Sequence, residues 1–145
     1  MTITANWTSE FRGFFLADGC ADIQRYKRGR GKQFFYRPRI RISLRIDDLE
    51  LLEEIQSKLG GNLRKRTSKK SNPSVTWEVN NKQQIVVICE MMLQGSVLPA
   101  KKLKDIEIVR DAAILRAGKL GHISDGERIR LEELYQASRD AKRFD

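Results

Sequence analysis

The segment Phe11-Arg12-Gly13-Phe14-Phe15-Leu16-Ala17-Asp18-Gly19 places a carboxylate at the end of an apolar run. Read within a helix over 7–18, it sets two small residues, Gly13 and Ala17, four apart among bulky neighbours. Small residues at i and i+4 form a flat stripe along which a second helix can approach closely. Asp18 then falls at the helix C-terminus, against the negative pole of the macrodipole. A carboxylate there is unfavourable unless a cation joins it, when the side chain and the free carbonyls act together. The plain alternative is a core helix with a solvated terminal aspartate and Gly19 as its C-cap.

A second group is cationic. Residues 25–70 hold fifteen of the 28 Lys and Arg but only five acids, a local charge of +10 against +9 for all 145 residues. The remainder carries 13 basic and 14 acidic residues, so the excess is one patch rather than a coat. From Arg37 the odd positions are Arg37, Arg39, Arg41, Ser43 and Arg45, and the even ones Pro38, Ile40, Ile42, Leu44 and Ile46. A period of two predicts a half-buried strand with one apolar and one basic face. Four arginines on one face repel each other, so a counter-charge is expected there, and a polyanion is the natural source. A face kept basic for solubility is the bland alternative.

Other chemistries are excluded or disfavoured. Cys20 and Cys89 form no CxxC or Cys/His cluster, which argues against a zinc site or disulfide framework. His122 stands alone, which rules out mechanisms built on several histidines. It reads as a surface residue, Cys20 as a small strand residue, Trp7 and Trp77 as core or interface aromatics, and Met91-Met92 as core filler. No apolar run approaches the ~18 residues of a membrane span. Glu10 and Asp18 interrupt any signal-peptide pattern, and the length suggests a single domain over 1–145.

The elements that must position these residues follow from periodicity and capping. Residues 20–28 predict a strand, 28–32 a glycine turn, and 33–46 the arginine strand, with Pro38 near an edge or bulge. Asp47 or Asp48 caps a helix carrying Leu49, Leu52, Ile55 and Leu59, ended by Gly60-Gly61. A second strand pair spans 62–67 and 75–80, separated by a turn at 69–73. Arg64 and Arg66 lie on its polar positions, and Val75, Trp77 and Val79 oppose Thr76, Glu78 and Asn80. A helix from Asn81 to about Leu93 ends at Gly95. The next runs from Pro99 to about Gly118 with Leu103, Ile106, Val109, Ala113 and Leu115 apolar. Ser124 and Glu127 form a capping box for the last, to about Lys142. The fold class is α+β: an αββαββα core with further C-terminal helices. Its antiparallel, saddle-shaped sheet has helices on one face and arginines on the other.

Residues 11–19 resemble the signature motif of the LAGLIDADG homing endonucleases. Gly13, Ala17, Asp18 and Gly19 match its third, seventh, eighth and ninth positions, and the element order matches the family fold. Leu98-Pro99-Ala100-Lys101-Lys102-Leu103-Lys104-Asp105-Ile106-Glu107-Ile108 is similar to the family's lysine-bearing stretch after the third core helix. Leu16 replaces the usual acid at the sixth position. Phe11-Arg12 replaces Leu-Ala at the first two, so Arg12 must face outward or find a partner.

The resemblance implies a homodimer, because one motif is present, with two motif helices meeting through Gly13 and Ala17. It implies metal binding by Asp18 with the Ala17 carbonyl, the metal being Mg²⁺ with Mn²⁺ or Ca²⁺ as substitutes. Asp18, Lys101 (with Lys102 as the adjacent alternative) and Asp48 are the implied catalytic residues, Asp48 as an organiser of water or simply a helix cap. The implied partner is double-stranded DNA, with no membrane and no small-molecule cofactor. The implied reaction is sequence-specific cleavage of both strands. Strand parity nominates Gln24, Tyr26, Arg28, Arg37, Arg39, Arg41, Ser43, Arg45, Arg64, Arg66, Thr76, Glu78 and Asn80 for DNA contact. Ten strand residues at ~3.3 Å cover roughly ten base pairs, so a dimer would read about twenty. The competing reading is a non-cleaving RNA maturase or DNA-binding regulator on the same scaffold. A binder of anionic membranes is a weaker third. Target, host element and compartment are not written in the sequence.

Overall fold

The computed structural model describes residues 3–27, 33–68, 71–94, 98–117 and 123–142. Arg28, His122, the turn over 28–32, Gly95 and Gly118 lie outside them. Helix α1 runs Ala5–Asp18, a half-turn earlier than its periodicity predicts, because the Thr4 hydroxyl caps it by accepting the Trp7 N–H at 3.1 Å. It passes directly into β1 (Gly19–Lys27), which is followed by β2 (Phe34–Arg45). A single 3₁₀ turn over Ile46–Asp48 leads to α2 (Leu49–Leu59). Then come β3 (Asn62–Ser68), β4 (Ser71–Val79), α3 (Lys82–Leu93), α4 (Ala100–Arg116) and α5 (Asp125–Lys142).

The four strands form one antiparallel sheet in the order β1-β2-β4-β3. Only Ile40–Arg45 of β2 pair with β4, whereas Phe34–Arg39 pair with β1 alone. Pro38, which has no N–H to give, therefore sits where one side of its strand is an edge. Strand β4 begins at Ser71, so residues 71–73 of the expected turn are strand, while Lys69 and Lys70 lie outside the described residues. Pro73 falls where the β3–β4 register shifts, between the Ser74–Arg66 and Ser71–Ser68 pairs, and an irregular pairing leaves a proline without a missing ladder bond.

The side of the sheet that carries Ala21, Ile23, Ile40, Ile42, Val75, Trp77 and Val79 is sealed by the helices. Phe11 and Phe15 of α1, Leu52 and Ile55 of α2, Ile85, Ile88 and Met92 of α3, Ile106 and Val109 of α4, and Leu131 of α5 close over it. Along α4, Leu103 is exposed while Ile108 and Ala112 are buried, a wider inward arc than the predicted stripe. The cause is that α4 touches α3 on one side and α5 on the other. Helix α2 ends as expected at Gly60 and Gly61, whose positive φ values of 75° and 96° favour glycine. The Gly60 carbonyl accepts the buried Trp77 Nε1–H at 2.8 Å. The Ser124–Glu127 capping box closes in both directions, at 3.0 and 3.2 Å. Burial pushes the Cys89 thiol up to about 12, which keeps it a protonated core residue. No helix among the described residues is long and apolar enough to cross a membrane.

Candidate nucleic-acid interface and metal-binding end

Helix α1 has two unlike flanks. On the inner one, Phe11 and Phe15 enter the core, and Arg12 is buried with them. Arg12 finds its partner at the C-terminus of α3, where its guanidinium donates to the carbonyls of Met92 at 2.8 Å and Gln94. These carbonyls have no helical partner of their own, and a cation suits that pole of the dipole. On the outer flank Gly13, Ala17 and Asp18 are all exposed. A methyl group added at Gly13 would meet nothing within 4 Å.

Gly19 is required for a different reason from the one its capping position suggests. Its backbone is extended, with φ −86° and ψ 158°, which any residue adopts. A Cβ there, however, would lie 2.1 Å from the Phe15 ring. The missing side chain lets Phe15 tuck under the junction and turns the chain from helix to strand immediately after Asp18. The Gly19 carbonyl accepts the Lys102 Nζ–H at 2.6 Å, and the same ammonium lies 5.6 Å from the centre of the Phe15 ring. Of the two adjacent lysines, Lys102 is hydrogen-bonded to the end of the motif, and Lys101 lies exposed one position earlier on α4 with an interaction of its own. Asp48 occupies the N-cap position of α2 but makes no side-chain capping bond. It lines a shallow cleft with Ser43, Arg45 and Ser74. Among the described residues no three His, Cys, Asp or Glu side chains cluster to hold a metal ion.

The polar face of the sheet follows the register row by row. Gln24 lies opposite Arg37, Tyr26 opposite Phe35, Asp22 opposite Arg39 and Cys20 opposite Arg41. Across β2, Arg41 faces Glu78, Ser43 faces Thr76 and Arg45 faces Ser74. Strand β3 then sets Arg64 beside Thr76 and Arg66 beside Ser74. The described DNA-contact candidates within the strands therefore share one face, and Asn80 follows β4 with its side chain bonded to Glu78. Arg25, of opposite parity, goes to the helix side, where it pairs with Glu132 and stacks on Phe34 and Tyr135.

The face supplies part of its own counter-charge, which the alternation alone does not suggest. Asp22 accepts Arg39 Nε at 2.9 Å and Nη2 at 2.8 Å, and Arg41 Nη2 at 3.2 Å. The hydrogen bonds that Arg39 donates to Asp22, opposed by partial burial, hold the Arg39 pKa above its ordinary value. Glu78 is buried and accepts from Arg64 at 3.3 Å and Asn80 Nδ2 at 3.0 Å. Arg37, Arg45 and Arg66 are exposed and form no ion pair among the described residues; Arg37 lies 5.3 Å from the Tyr26 ring centre. Asp22 is the functional candidate that sequence reasoning missed. The signal was available, since it has the same parity as Gln24 and Tyr26 on β1.

Residues 11–112 match the LAGLIDADG endonuclease family. The chain belongs to that family. Among solved LAGLIDADG-like structures, the meganuclease I-SmaMI bound to uncleavable DNA aligns with a TM-score of 0.74 and 20% identity, over 90% of this chain and 44% of that one. The chain thus spans under half the length of I-SmaMI. The homing endonuclease I-TnaI aligns at 0.73 and 16% identity, over 99% of this chain and 96% of that one. The intron-encoded I-CeuI, complexed with DNA, aligns at 0.66 and 16% identity, covering 79% and 57%. At these identities the likeness is one of fold, and it bears out the predicted α+β architecture. No curated protein sequence matches the chain. The LAGLIDADG motif of this chain keeps its acid, Asp18, at the exposed end of α1, while its unusual Arg12 is absorbed inside.

Proposed function

We propose that two copies of this LAGLIDADG chain pair through the outer flank of α1 and cut both strands of a long, approximately two-fold symmetric DNA site with a divalent metal ion. The observation that carries this reading is the bare Gly13–Ala17–Asp18 flank. A glycine inside a helix costs about 1 kcal/mol relative to alanine. The lone chain does not account for Gly13, because the space beyond it is open. A second α1 laid along the stripe would account for it, and the close approach would bring two Asp18 carboxylates together.

Those carboxylates, with helix-terminal carbonyls such as that of Ala17, form a hard oxygen donor set suited to Mg²⁺. Among the described residues no three ligand side chains cluster within one chain, so the proposed site is complete only in the pair. A divalent ion held by the Asp18 carboxylates and the Ala17 carbonyls would supply Lewis-acid stabilisation of the scissile phosphate. Lys102, fixed on the carbonyl of the residue after Asp18, holds a positive charge beside the place where negative charge develops. Asp48, at the N-cap position of α2 with no side-chain capping bond, would organise water at the site. The polar sheet face carries the duplex, for which a β-ribbon fits the major groove.

Incubation with Mg²⁺ and a randomised duplex library tests the reading. The expected result is double-strand cutting at one site of about twenty base pairs. Asp18→Asn is expected to lower the rate roughly a thousandfold or more while leaving binding in place. Absence of cutting with Mg²⁺, Mn²⁺ or any other divalent ion, or an Asp18→Asn protein as active as wild type, sinks the proposal. Site-specific binding without cutting would select the maturase or regulator reading instead.

A further inference from the structure

We infer that five of the sheet-face arginines divide into two classes, with Asp22 as the positioning residue that makes Arg39 and Arg41 readers of base edges while Arg37, Arg45 and Arg66 neutralise phosphates. The inference rests on the DNA-binding part of the proposed function and adds a division of labour that neither the motif nor the strand parity contains.

The first class is defined by geometry. Asp22 and Arg39 have side chains only 14% and 18% exposed, and two parallel bonds join them through Nε and Nη2. Such a side-on fork fixes the guanidinium plane. It leaves the Nη1–Nη2 end of Arg39 as the donor edge, the edge that fits guanine O6 and N7. Arg41 is tied to the same carboxylate by one bond, so the two guanidiniums are set at a fixed spacing. A carboxylate between them also weakens their pull on a phosphate, because an approaching anion meets Asp22 as well. Pre-ordered donors with reduced net charge suit recognition of one base and are poorly suited to general attraction.

The second class has the opposite properties. Arg45 and Arg66 flank Ser74 from the two sides, in one row across β2, β4 and β3. At ~4.8 Å per strand their backbones stand roughly 9.6 Å apart over a small hydroxyl side chain. Two exposed cations at that spacing can close on a phosphate, which tolerates many approach directions. Arg37, whose nearest ring is Tyr26, extends the unpaired charge along the other end of the face.

The test uses the full chain and the site obtained by selection in Mg²⁺. Binding is measured in Ca²⁺, in whose presence I-SmaMI is bound to uncleaved DNA. Each position of the site is varied in turn, over a range of KCl. Asp22→Asn and Arg39→Lys are expected to lower the preference for guanine at one or two positions about tenfold. Neither should flatten the dependence on salt, since neither removes a cation. Arg45→Ala and Arg66→Ala are each expected to reduce the salt slope by about one and to leave base preferences unchanged. Thermal unfolding of each variant confirms that it is folded, and Arg39→Lys, which keeps charge and length, separates loss of the fork from loss of structure. Cutting at one site with preferences indifferent to Asp22 and Arg39, or preferences relaxed equally by Arg45→Ala, overturns the division alone. A wild-type protein with no preferred DNA site overturns both the division and the function on which it rests.

Discussion

The two flanks of α1 carry the same nine-residue motif into two different environments. The inner flank is satisfied within one chain. Trp7 and Phe11 stack at 5.4 Å, Phe11 meets Trp77 edge-on at 5.9 Å, and Arg12 ends α3. The outer flank, with Gly13, Ala17 and Asp18, has no such satisfaction and, judged by the chain alone, resembles a defect. A glycine weakens the helix there, and a carboxylate faces the wrong pole of its dipole. The difference teaches that a motif is not one surface. Half of it is answerable to the stability of the chain, and half to whatever the chain meets.

Substitutions along the helix test that division, and their effects on the stability of the chain should fall in order. Phe15→Ala removes a fully buried ring and the contact that shapes the Gly19 junction. Denaturant unfolding should show a loss of about 3–5 kcal/mol. Arg12→Met keeps the length but abandons the α3 carbonyls, for an expected loss of about 1–3 kcal/mol in the same measurement. Gly13→Ala should act in the opposite sense. At low protein concentration it is expected to stabilise the chain by about 1 kcal/mol, while sedimentation shows weaker pairing. If it destabilises instead, Gly13 is needed inside the chain and the comparison collapses. Asp18→Asn should move stability least, by under about 0.5 kcal/mol, although it is expected to be the most damaging to cleavage. A large loss of stability from Asp18→Asn would place that carboxylate with the inner flank.

Much of this arrangement is legible before folding, and the gaps have definite causes. Strand alternation assigns Arg39, Arg41, Thr76 and Glu78 to one face because a pleat has only two sides. It does not reveal that Arg39 is pinned by Asp22, since cross-strand partners depend on a register set by a turn elsewhere in the chain. Cap chemistry locates α5 from Ser124 and Glu127, yet the same kind of signal at Thr4 is hidden by the apolar run that starts later. In α4 the burial of Ile108 and Ala112 reflects contact with two helices at once, which a single-stripe template misses. The bond from Lys102 to the Gly19 carbonyl depends on the rotation of α4 about its axis, which periodicity does not fix between two residues about 100° apart.

The uneven pairing of β2 has a mechanical consequence. Beyond Arg39 toward the N-terminus of β2, the sheet narrows to β1 and β2, and the roughly 20 Å of Phe34–Arg39 projects as a two-stranded cantilever. Two strands alone are marginal in water. The prop beneath them is α5, through Glu132 to Arg25 and Tyr36, and Arg128 to the Phe34 carbonyl at 2.7 Å. Hydrogen exchange should therefore register opening of this ribbon at lower free energy than the paired stretch Ile40–Arg45, and Glu132→Gln should hasten exchange in the ribbon first. The last helix, which holds no residue of the proposed site, thus sets the stiffness of the arm that carries Gln24, Tyr26 and Arg37.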